Sequence, residues 1–104
     1  MDHSQKIQAL KELSQKEGTV SADEFCSLLT DISRMECMSP GVLWCSMHLA
    51  CHIWRQSAQD WSPRDRQQVV GIALPLLLEE TRICGRTLHL NIFAAGPVDD
   101  LELL

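Results

Sequence analysis

Tyrosine is missing from this 104-residue chain, and phenylalanine occurs only twice. Basic residues are also scarce. Nine Lys and Arg stand against 14 Asp and Glu, for a formal charge of −5. The basic residues are scattered, and Arg64 and Arg66 form the one close pair beyond the first helical segment. Nucleic-acid binders carry a basic stripe, so nucleic acid is not an expected partner. An anionic membrane surface is disfavoured for the same reason. No apolar run approaches the roughly 20 residues that cross a bilayer, and the opening residues lack the apolar core of a signal peptide. The five cysteines are odd in number, and no two are spaced Cys-x-x-Cys. That argues against a disulfide framework and for free thiols in a reducing, cytoplasmic setting. A Gly-rich phosphate loop and a Gly-x-Ser-x-Gly elbow are both absent, which removes two common routes to catalysis. No internal repeat or long low-complexity run is visible.

What remains is ordinary globular material: 45% hydrophobic and 22% charged residues, in a length suited to one domain. The densest apolar stretch is Val69–Leu78. It is apolar on every side within a helix-like segment, so it is expected to be a central helix enclosed by the others. Pro75 within it removes one helical hydrogen bond, and Gly71 lies four residues earlier. A kink there, or two shorter helices, is expected.

Four helices are predicted. The first covers residues 4–16, with Ile7, Leu10 and Leu13 on a narrow apolar stripe and Gly18 as its stop. Ser21 to Glu24 reads as a capping box opening the second, with Val20 as hydrophobic staple and Phe25, Leu28, Leu29 and Ile32 on one face. Ser39-Pro40 opens the third, which runs to about Gln59. Leu43, Met47, Ala50 and Trp54 share one of its faces. Ser62-Pro63 opens the fourth, and Gly85 ends it. The expected fold is therefore all-α: a bundle of four main helices over residues 1–85. An arm over 86–104 follows.

Within the arm, residues 87–92 alternate polar and apolar, which reads as extended. A single strand leaves its backbone groups unpaired. The expectation is an antiparallel pairing with the same arm of a second copy, giving a homodimer, or strand addition to another protein. Leu88, Leu90, Ile92, Phe93, Leu101, Leu103 and Leu104 would be the interaction residues. The last seven residues also fit an acidic dileucine pattern ending in Leu103-Leu104. The alternative is that the arm packs back on its own bundle as a fifth element.

Three constellations bear on chemistry. Gly18, Val20, Glu24 and Phe25 make the 16–25 segment resemble the second half of an EF-hand loop. Leu13, however, falls at the first ligand position and offers no oxygen, so calcium is not expected. The same hairpin resembles the start of a winged-helix repressor. Residues 40–54, the would-be reading helix, hold no Lys or Arg, which excludes groove recognition. Cys45, His48 and His52 lie within about a 60° arc of the third helix. Thiolate and imidazole ligands at this spacing suit zinc. A fourth ligand would come from Cys37, Cys84 or His89, and no haem-attachment motif is present. The leading expectation is a non-enzymatic protein-interaction module without a cofactor: an adaptor, a chaperone, or an inhibitor or immunity-type protein. A zinc- or haem-responsive sensor is the alternative.

Overall fold

The computed structural model describes residues 3–36 and 38–96. The described residues form an all-α fold with no strand among them. The helices are α1 (His3–Ser14), α2 (Ala22–Ser33), α3 (Pro40–Ser57), α4 (Pro63–Cys84) and α5 (Leu88–Ala95), with a 3-10 turn at Ala58–Asp60.

Helix starts follow local chemistry. The hydroxyls of Ser21, Ser39 and Ser62 accept from the amides of Glu24, Val42 and Asp65, three residues on. Each bond satisfies an orphan donor of a first turn. The Glu24 carboxylate turns towards Lys16, 3.6 Å away. Gly85 ends α4 at φ +68° and donates its amide to Thr81 O. Gly18 also has positive φ, but it sits in the loop, because α1 already ends at Ser14.

The core is formed by Leu10 and Leu13 of α1, Phe25, Leu29 and Ile32 of α2, and Leu43, Met47, Ala50, Ile53 and Trp54 of α3, with Val69, Ala73, Leu76 and Leu77 of α4. α3 packs against α1, α4 and α5, while α4 packs against α2, α3 and α5. The α1–α2 hairpin is tied down at Val20. Its amide donates to Ser57 Oγ at 3.0 Å, and its carbonyl accepts from Trp61 Nε1 at 2.7 Å. Lys6 and Asp31, 2.9 Å apart, link α1 to α2.

Two expectations are corrected. The Val69–Leu78 stretch is not enclosed: Leu74 is 41% and Leu78 53% exposed, and Gly71 and Pro75 also face outwards. α4 is one unbroken helix through Pro75. An all-apolar sequence allows complete burial, but in so small a bundle α4 has too few neighbours to cover its outer side. The second correction concerns the arm, whose residues 88–95 are helical and not extended. His89 and Phe93, four apart, are the buried pair. Counting His89 as polar produced the apparent alternation. As a helix the segment meets its own backbone hydrogen-bond needs, as in the 2.9 Å bond from the Asn91 amide to Thr87 O, and no second strand is required.

Candidate functional site

α3, α4 and α5 bring four polar or aromatic side chains together. On α3, Trp44 and His48 are one turn apart and so share a face. Their rings stack at 4.9 Å and 10°. On α4, Glu80 continues the inward face of Val69, Ala73, Leu76 and Leu77, because it follows them at helical spacing. The Gly85 turn reverses the chain, and α5 then carries His89 inwards. Glu80 and His89 are each 1% exposed.

The contacts form a chain from core to surface. His89 Nδ1 lies 2.6 Å from Glu80 Oε2. An ionised carboxylate only accepts, so the hydrogen is assigned to Nδ1. His89 Nε2 points outwards to His48 Nδ1, 3.4 Å away. His48 is exposed and Trp44 half-buried. The Trp44 ring also lies 5.2 Å from that of His89. Burying Glu80 carries a desolvation cost of several kcal/mol unless it is paired, and the short bond to His89 offsets it. On the core side, Cys51 Sγ donates to the His89 carbonyl at 3.7 Å. Burial pushes this thiol up to about 12. The nearby Glu80 charge adds to the rise, and Arg55 opposes it. Cys51 is thus held protonated and is no nucleophile.

Beside Trp44, an open groove of about 570 Å³ is lined by Pro40, Gly41, Trp44, Ile83, Cys84 and Arg86. Cys84 Sγ donates to Pro40 O at 3.6 Å on its wall.

The three ligand candidates of α3 are dispersed. His48 turns to His89. His52 lines a separate groove with Arg55, Gln56 and Asp60. Cys45 is exposed. Among the described residues, no three His, Cys, Asp or Glu side chains gather to hold a metal ion. Cys37 lies outside the described residues. Of the other ligands considered, His89 does meet His48. Among the predicted interaction residues, Leu88 is 53% exposed, Leu90 and Ile92 pack partly buried against the core, and Phe93 is buried against Trp54 at 4.9 Å. Leu101, Leu103 and Leu104 lie outside the described residues. Sequence reasoning missed Glu80 and Trp44. The signal for Glu80 was its place on the inward face of α4.

Compared with known proteins, the chain matches no family model, no curated protein and no solved structure. Among the described residues, no helix is long and apolar enough to cross a membrane.

Proposed function

We propose that this chain is a small, non-enzymatic protein-interaction module that self-associates through the outer face of α4. The observation that carries this reading is the exposure of Leu74 and Leu78, at 41% and 53%. They stand one turn apart beside the exposed Gly71 and Pro75. These four positions fall within about a 100° arc and hold no charge. Large apolar side chains aligned in this way mark interaction surfaces more than scattered ones do. Pro75 strengthens the case. A mid-helix proline costs about 3 kcal/mol, and its exposed ring recovers little of that by burial within one chain. At Gly71 the space a Cβ would take is open, so a second backbone can come close.

The occupant is a second copy, because one stripe meeting itself across a two-fold axis satisfies both faces at once. This homodimer replaces the strand-paired one expected from the arm. Stable interfaces bury about 800 Å² per partner, and two leucines and a proline supply less. The dimer is therefore weak, with Kd at about the micromolar level or above. A chain of this kind serves as an adaptor, a chaperone, or an inhibitor or immunity-type protein. The free thiols of Cys26, Cys45, Cys51 and Cys84 support a cytoplasmic setting. Glu80 is sealed away from solvent, which supports a binding role over catalysis.

Sedimentation velocity across a concentration series tests the reading. The wild type should move from monomer to dimer. A Leu74→Asp/Leu78→Asp double variant should stay monomeric with unchanged helical circular dichroism. A wild type that remains monomeric at the highest concentration would overturn it.

A further inference from the structure

We propose that His48 Nδ1 and His89 Nε2 form a binding site for a divalent transition-metal ion, with Glu80 as the buried carboxylate that orients the inner imidazole. The two nitrogens face each other at 3.4 Å. That is long for a hydrogen bond from a ring N–H, which favours about 2.9–3.0 Å. It matches a ligand edge. Imidazole nitrogens about 2.0–2.1 Å from a tetrahedral zinc stand about 3.3 Å apart.

Protonation points the same way. Glu80 Oε2, 2.6 Å from His89 Nδ1, accepts from the N–H of that nitrogen and leaves the outward Nε2 lone pair for a metal ion. A carboxylate on the far nitrogen of a ligating histidine is the arrangement that fixes its tautomer and raises its basicity. The second ring is also held in place, since Trp44 stacks flat on His48 at 4.9 Å. Glu80 and His89 come from α4 and α5, and His48 and Trp44 from α3. The pair is therefore preorganised by tertiary packing, and His48 opens it to solvent.

Two imidazoles suit zinc, copper(II) and nickel. With no third His, Cys, Asp or Glu gathered there among the described residues, water fills the remaining positions. The ion is exchangeable and does not hold the fold together. This site is independent of the α4 stripe, which lies on the opposite side of that helix from Glu80.

The test is calorimetric titration of the full chain with zinc chloride, in parallel with Cys45→Ala, His48→Ala and His52→Ala. All three positions are exposed on α3, so each variant should keep the wild-type helical spectrum. The expected result is saturable binding of one zinc per chain. Affinity should fall roughly tenfold or more in His48→Ala and stay unchanged in Cys45→Ala and His52→Ala. Saturating zinc should also raise the thermal midpoint of the wild type and not that of His48→Ala. Absence of saturable binding overturns the proposal. So does binding whose affinity is unchanged in His48→Ala, or that is lost with Cys45 or His52.

Discussion

Glu80 and His89 are a hydrogen-bonded couple, each 1% exposed and 2.6 Å apart, sealed in the bundle. Each depends on the other. Replacing Glu80 by Ala removes the acceptor for His89 Nδ1 and should destabilise the protein by about 1–3 kcal/mol in urea denaturation. A Glu80→Leu/His89→Leu double variant should cost much less than the sum of the two single changes. With both polar groups gone, no unpaired one is left behind. Additive losses would show that the pair does not act as a unit. Cys51 makes a separate demand. Its thiol titrates near an ordinary 9.0 in the unfolded chain but is pushed up to about 12 in the fold. Above about pH 9 the unfolded state therefore loses a proton that the folded state keeps, and stability falls as pH rises towards the folded value. Cys26 acts in the same direction, raised by burial first and by Asp23 and Asp65 after it. Unfolding free energies at pH 7.5 and 10 should differ less in Cys51→Ala than in the wild type. An equal difference in both would remove Cys51 as a source of the alkaline loss.

Among the elements, α5 is short, at eight residues, and gains its stability from what it touches. An isolated helix of that length is unstable in water. Phe93 stacks on Trp54, His89 completes the pair with Glu80, and Leu90 and Ile92 cover the core edge. Removing residues 86–104 therefore exposes Trp54 and strands Glu80. The bundle should not survive this deletion intact, contrary to what an independent arm would imply. Phe93→Ala is the milder form and should cost about 3–5 kcal/mol, read as a lower urea midpoint. A truncated chain with wild-type stability would mean that α5 contributes no net packing energy.

At the level of the whole molecule, net charge and the apolar stripe pull in opposite directions. In the proposed dimer, two copies each carrying −5 would repel one another, while the Leu74–Leu78 stripe would draw them together without any charge of its own. Added salt screens the repulsion within a Debye length of about 8 Å at physiological strength and leaves apolar burial in place. Dimerisation measured by sedimentation should therefore tighten from low to moderate salt. An interface built on ion pairs would loosen instead.

The amino-acid sequence alone determined the helical class, three of the helix starts and most of the core. Those features rest on chemistry within a few residues. A serine hydroxyl caps the amide three positions on, a proline pre-sets a first turn, and apolar side chains at helical spacing mark a face. Tertiary structure decided which apolar faces found neighbours. Val69–Leu78 looked enclosed because every residue in it is apolar, yet burial depends on how many helices surround it, and Leu74 and Leu78 lie outside. The site was hidden for a related reason. His89 reads as polar in a line of text, and only the Gly85 reversal, which brings α5 onto α3 and α4, makes it the buried link between Glu80 and His48. Cys45, His48 and His52 share an arc on one helix, but the partner of His48 is His89 on α5. No spacing along one helix can say which element that partner will come from.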